Sequence, residues 1–162
     1  MTLAGSIALW CGTVLAVVAL AMRGRWQRRA STGAAVGLSL ALVVLATAFA
    51  TDRFEFVQVA RYSRAAAALP YKVAAVWGGM AGSLLLWATI AAWYSVWVEQ
   101  SSGHLASAAT GPDPTGSDHQ ARRFGWYPSV MGALTAVFSA VCLLLTQPFG
   151  TSSGSGLPVA AP

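Results

Sequence analysis

Charge is scarce in this chain. Of its 162 residues only 9% are Asp, Glu, Lys or Arg, against roughly 25% in ordinary soluble domains, which excludes a conventional water-soluble globule. Acidic residues number five, and none forms a carboxylate pair of the kind that general acid–base chemistry uses. No nucleophile stands next to a base, and no glycine-rich loop runs into a Lys that could cradle phosphate. Glu55 lies beside Arg53 and reads as an interfacial charge. Histidine occurs twice, at His104 and His119, fifteen residues apart and without the close His, Cys or carboxylate spacing of metal sites. Cysteine also occurs twice, at Cys11 and Cys142, with no CxxC motif. Both fall in apolar stretches, so they read as buried, inert structural thiols. The apolar stretches carry no ionisable residue near their centres, which argues against an ion channel or transporter.

Hydrophobic residues, by contrast, make up 56% of the chain. Four apolar runs have the length of about twenty residues that crosses a bilayer: Leu3 to Met22, Gly33 to Ala50, Tyr71 to Val98 and Tyr127 to Thr146. The expected fold is all-α, a polytopic membrane protein of four transmembrane helices within residues 1–150, followed by a flexible tail, 151–162. The formal net charge of +5 raises nucleic acid as a ligand, but the arginines lie beside apolar runs as membrane anchors do, and no recognition module accompanies them.

The first run is followed, not preceded, by Arg23, Arg25, Arg28 and Arg29. A secretory signal has the opposite order, so the run reads as a permanent span. The positive-inside rule then puts the N-terminus outside, in the periplasm, and four spans return the C-terminus there. Six arginines (those four, Arg122 and Arg123) fall inside, against Arg53, Arg61, Arg64 and Lys72 outside. The cytoplasmic loop is expected over 99–126, where SSGHLASAATGPDPTGSDHQ has loop composition and no hydrophobic period.

Between the second and third spans, Phe54, Phe56, Val57, Val59 and Tyr62 alternate with charge, a pattern suited to the membrane interface. Pro70 fits the first turn of the third span, and Lys72 could extend from there to lipid headgroups. Within that span Gly78 and Gly82 are four apart, as are Gly79 and Ser83, so small residues share a helix face. Another helix could approach closely there. Trp77, Trp87, Trp93 and Trp97 flank this face, and Trp77, Gly78, Gly79, Gly82, Ser83 and Trp87 are the candidate site residues, with a packing rather than a catalytic role.

The run from Leu69 to Trp87, LPYKVAAVWGGMAGSLLLW, resembles the N-terminal signature of the CcmF-type cytochrome c biogenesis proteins, the haem lyase component of cytochrome c maturation. In that family Leu-Pro, a Tyr with a basic residue, then Ala, Trp and Gly lead into Glu-Gly-Ser-Leu-Leu-Leu-Trp. Phe54, Val59, Ala60 and Ser63 resemble the family's external segment, and Gln147-Pro148-Phe149 resembles its Asn-Pro-Phe after the fourth span. The chain departs from the family at Met80 and Ala81, where His-Glu is common. A thioether can ligate haem iron, but a Met in an apolar helix usually fills space. Family members are several times longer, and their haem-handling segment and haem-holding histidines come later.

The resemblance implies a component of cytochrome c maturation in the inner membrane, not an enzyme on its own. Haem is handled by the wider family and is not expected to be bound by this segment alone. The implied partners are the lipid bilayer, the remaining part of a haem lyase and other maturation components, whether the chain is a piece of a split protein or a truncated copy. The alternative is a stand-alone structural subunit that docks on another membrane complex, such as a respiratory enzyme.

Overall fold

The computed structural model describes residues 2–64, 66–108 and 127–150. Among them there is no strand. Four helices form the frame: α1 (Thr2–Ala21), α2 (Arg25–Ala50), α5 (Met80–Ala108) and α6 (Tyr127–Val141), the last continued by a π-helical turn, Cys142–Thr146. Two short helices, α3 (Val57–Tyr62) and α4 (Leu69–Ala75), lie between α2 and α5. Four segments are long and apolar enough to cross a membrane: Leu3–Ala21, Arg25–Ala50, Met80–Ser101 and Ser129–Thr146.

Each long helix packs mainly on its neighbours in the chain, α1 on α2, α2 on α5, α5 on α6, and α6 closes the ring against α1. The four long helices thus close a ring in chain order, as in an up-and-down bundle. Small residues let the backbones meet. A Cβ on Gly37 would lie 3.0 Å from the Cα of Gly12 and 3.2 Å from the Ala8 carbonyl oxygen, and one on Gly12 would lie 3.1 Å from the Leu38 nitrogen. Helices α1 and α2 therefore touch backbone to backbone, gaining dispersion contacts that lipid chains cannot supply. Leu9, Leu38, Leu45, Leu85, Phe49, Phe56 and Val59 fill the centre and are almost wholly buried.

One end of the bundle is plugged by aromatic rings. Gln147 takes a left-handed φ of 38°, ending the π turn, and Pro148 and Phe149 turn back into the bundle, both buried. The Phe149 ring occupies the space that any side chain at Gly5 would need and meets Phe56 edge to face, with centroids 6.3 Å apart. The Val57 N–H donates to the Gly150 carbonyl at 3.1 Å, which fastens α3 to this plug. The segment over Phe54–Tyr62, expected at the membrane interface, turns Phe56 and Val59 into the bundle.

Several boundaries differ from the sequence expectation. Helix α2 begins at Arg25 rather than Gly33, so Arg25, Arg28 and Arg29 ride on a helix. The guanidinium carbons of Arg25 and Arg29 stand 5.7 and 5.5 Å from the Trp26 ring, a cation–π arrangement. Helix α5 continues to Ala108, so it includes the start of the expected 99–126 loop and the backbone of His104. His119, the rest of that loop and the tail 151–162 lie outside the described residues. The expected continuous third span, Tyr71 to Val98, is broken at Val76–Gly79 into α4 and α5. Two adjacent glycines make helix costly there, and i→i+3 bonds replace the helical ones: Val76 N–H to Val73 O, Trp77 N–H to Ala74 O and Gly78 N–H to Ala75 O. Pro70 stands in the first turn of α4, where its missing N–H costs nothing.

Candidate helix-docking site

The glycines between Trp77 and Trp87 are used within the chain. A Cβ at Gly82 would overlap the carbonyl oxygen of Val76, so the first turn of α5 rests directly on the backbone that leads into it. A Cβ at Gly79 would come within 2.7 Å of Gln58 Oε1 and 2.8 Å of the Tyr62 ring, so α3 covers Gly79. Ser83 Oγ donates to the carbonyl oxygens of Gly79 and Met80, closing the N-terminal turn of α5. Gly78 differs in being exposed. The six residues are therefore not one surface: Gly79 and Gly82 are buried, Ser83 is half-buried, and Gly78, Trp77 and Trp87 face outward. The pairs Gly78/Gly82 and Gly79/Ser83 do not form a free glycine-lined face, because the chain's own turn and α3 occupy the buried member of each.

What α5 does present outward is aromatic. Met80, Trp87, Ile90, Tyr94 and Trp97 are all exposed, and their spacing of three, four or seven puts them along one side of the helix. Tyr94 and Trp97 stack at 5.5 Å. Trp93 sits on the flank of this side, and its indole N–H donates to Ser39 Oγ of α2 at 3.0 Å. Trp is usual at the two rims of a bilayer, and these rings occupy the stretch of α5 from Trp87 to Trp97. The α5 stripe is the continuous exposed face that the spacing of the glycines alone does not describe. Its signal in the sequence is the spacing of Trp87, Ile90, Tyr94 and Trp97, with the core-facing Leu85, Ala88, Ala92 and Val96 between them.

Beside the glycine turn, Lys72 does not reach out to headgroups as its position in the sequence suggests. It is 8% exposed and turns inward, where its Nζ donates to Asp52 Oδ2 in an ion pair. The cause is the break after α4, which lays that short helix over the end of α2 and points Lys72 at Asp52. Asp52 has a φ of 52°, the left-handed region that Asp tolerates better than most residues. Arg53 and Glu55 form a looser, exposed pair at 3.6 Å.

At the opposite end of the bundle Glu99 of α5 is 6% exposed. Its Oε1 accepts from Ser31 Oγ at 2.8 Å and from Gln27 Nε2 at 3.2 Å, both on α2. A carboxylate taken from water is costly unless its oxygens are hydrogen-bonded, and these two donors tie α5 to α2 at that depth. Ser31→Ala is expected to lower stability by about 2 kcal/mol, the usual loss for a buried hydrogen bond to a charged group. Thermal unfolding of the detergent-solubilised variant measures it, and an unchanged midpoint would remove Glu99 from the list of helix ties.

The two thiols part company. Cys142 is buried, with its Sγ 3.6 Å from the Ala81 carbonyl oxygen, while Cys11 faces outward, contrary to the expectation that both are buried; both are free. The groove of about 230 Å³ at the plugged end is lined by Ser6, Leu9, Trp10, Leu143, Gln147, Pro148, Phe149 and Gly150. None of these residues carries an imidazole, thiolate or thioether, the usual axial ligands of haem iron. Among the described residues, moreover, no group of three His, Cys, Asp or Glu could hold a metal ion. The lining of this groove therefore offers haem iron no axial ligand.

Four apolar helices closed into a ring, with one aromatic flank, define a multi-pass helical membrane protein. The chain is similar to the cytochrome c-type biogenesis protein CcmF of Haemophilus influenzae, with 31% identity over 117 residues, 72% of this chain and 16% of that protein. It is also similar to CcmF of Pseudomonas aeruginosa, with 38% identity over 97 residues, 53% of this chain and 15% of that protein. The resemblance to CcmF-type proteins therefore holds. The chain spans about one sixth of the length of these curated relatives. No family model matches it, and no solved structure does.

Proposed function

We propose that this chain is a component of cytochrome c maturation in the inner membrane, corresponding to the N-terminal part of a CcmF-type protein. Its role is assembly: it packs against the haem-handling part of a haem lyase and leaves the haem chemistry to that part. The observation that carries the reading is the similarity to two CcmF proteins, and the outward face of α5 supplies the surface. The orientation in this proposal has the Phe149 end in the periplasm and the arginine-bearing start of α2 in the cytoplasm, following the positive-inside rule. The short helices α3 and α4 then lie on the periplasmic rim.

Truncating Trp87 and Trp97 to Ala tests the docking role. Buried tryptophans at interfaces are worth about 2 kcal/mol each, or roughly a thirtyfold loss of affinity apiece. The double variant should insert and fold normally but no longer co-purify with a haem lyase segment, and covalently attached haem c in its host should fall. If maturation is untouched while the chain co-purifies with a different membrane complex, the alternative of a structural subunit of that complex replaces this proposal.

A further inference from the structure

The outward side of α2 carries charge at one end and apolar surface along the rest, a pattern that the packing role of α5 does not use. Exposed residues recur at Arg25, Arg29, Thr32, Val36, Leu40 and Val43, and their spacing of three or four keeps them on one side of the helix. Two arginines head the strip, and three aliphatic side chains, each about half exposed, continue it. Thr32 does not interrupt it, because its hydroxyl donates to the Arg28 carbonyl oxygen of the same helix at 2.8 Å. Helix α2 has 26 residues, about 39 Å at 1.5 Å per residue, and so outruns a hydrocarbon core of about 30 Å. Arg25 and Arg29 belong in the headgroup layer, and the aliphatic strip then faces acyl chains.

Trp26 gathers the two charges. The guanidinium carbons of Arg25 and Arg29 stand 5.7 and 5.5 Å from its ring. Two cations drawn to one ring repel each other, and both lie at the start of α2, the positive end of its dipole, where cations are disfavoured. Nothing nearby in the chain offsets this. The first turn of α2 holds no acidic residue, and Gly24 provides no side-chain cap. Among the described residues the ion pairs, Arg53 with Glu55 and Lys72 with Asp52, lie at the opposite end of α2. Glu99, at the near end, accepts from Ser31 and Gln27, and the arginine whose charge acts on it is Arg28. Arg25 and Arg29 are left without a carboxylate. A phosphodiester anion would relieve the repulsion, and guanidinium groups match phosphate oxygens through paired N–H donors.

We propose that this side of α2 binds one anionic phospholipid, with its phosphate held by Arg25 and Arg29 beside Trp26 and an acyl chain laid along Val36, Leu40 and Val43. A zwitterionic lipid brings its own cation to the same place and is disfavoured there. The positive-inside rule asks only that basic residues be present. Here two of them are set over one ring at the head of an apolar strip, which fits a single amphiphile.

The test is native mass spectrometry of the full chain in detergent, where membrane sidedness plays no part, with dioleoylphosphatidylglycerol and dioleoylphosphatidylcholine added in equal amounts. The parent should retain one phosphatidylglycerol per chain in preference to phosphatidylcholine. Arg25→Gln combined with Arg29→Gln is expected to weaken that retention about thirtyfold, since each basic side chain near an anionic surface is worth about a fivefold gain. Arg61→Gln combined with Arg64→Gln removes the same charge from two other exposed arginines and should leave retention unchanged. Inorganic phosphate in large excess should not displace the lipid, because it has no chain to lie on the strip. Equal retention of the two lipids by the parent, or equal losses from the two double variants, overturns the proposal. Displacement by inorganic phosphate does so too, and would make the occupant a free anion. Should the first double variant not fold by circular dichroism, Arg29→Gln alone replaces it with an expected loss of about fivefold, and undiminished retention has the same force. None of these outcomes depends on the role in cytochrome c maturation.

Discussion

Gly82→Ala is expected to cost the bundle about 3 kcal/mol or more, while Gly78→Ala should leave stability within about 0.5 kcal/mol of the parent. The two glycines look equivalent in the sequence, four residues apart on one helical period. They differ in what they touch. A methyl group at Gly82 would overlap the carbonyl oxygen of Val76, a backbone atom held in the turn between α4 and α5. Backbone yields less readily than a flexible side chain, so the penalty falls at the upper end of overpacking costs. At Gly78 the nearest atom to an added Cβ is the Ala75 carbonyl oxygen at 3.2 Å, and the residue is exposed. Thermal unfolding in detergent, followed by circular dichroism, separates the two. A Gly82→Ala chain as stable as the parent would mean that α5 does not rest on Val76. Loss of partner binding by Gly78→Leu with full retention by Gly82→Ala would put the docking surface at the glycines after all.

Lys72→Met should destabilise the chain by about 3 kcal/mol, and Asp52→Asn by less. Removing one member of a buried ion pair leaves the other charge uncompensated, at about 3–5 kcal/mol when burial is complete. Here the lysine side chain is 9% exposed and the aspartate 30%, which lowers the figure through solvent screening of Asp52. Two features keep it large. Asp52 Oδ1 is buried without a hydrogen-bond partner among the described residues, so Lys72 is the main support of that carboxylate. The pair also joins the end of α2 to α4, fixing the short helices on the rim. Asn at position 52 keeps a side chain that tolerates the left-handed φ, so its cost reflects the lost charge pair and not backbone strain. Denaturant titration of the two variants, with the double variant to close the cycle, measures the coupling. A coupling near zero would return Lys72 to the headgroup role its sequence position suggests.

Much of the architecture is legible from composition. Four apolar runs over a chain with 9% charge can be little other than four spans. Pro70 marks a helix start. The Leu69–Trp87 run is where the likeness to CcmF is read in the sequence, and the similarity to two CcmF proteins supports it. The candidate site is less legible. Small residues four apart identify close approach but not the object approached. Gly33 and Gly37 show the same spacing as Gly78 and Gly82, and it is Gly37, with Gly12, that brings two spans together. Gly82 meets only the turn before its own helix.

The sequence by itself determined that the chain is a membrane-embedded helical protein of four spans, because transfer of apolar side chains and satisfaction of backbone polar groups in lipid are local properties of each run. Only the tertiary structure decided which glycines serve packing inside the chain, that Lys72 turns inward to Asp52, and that Glu99 is clasped by Ser31 and Gln27. The last two outcomes depend on atoms brought together from residues 20 to 72 positions apart. No periodicity along the chain encodes such distances; they follow from how the break at Val76–Gly79 and the close contact of α1 with α2 set the helices against one another.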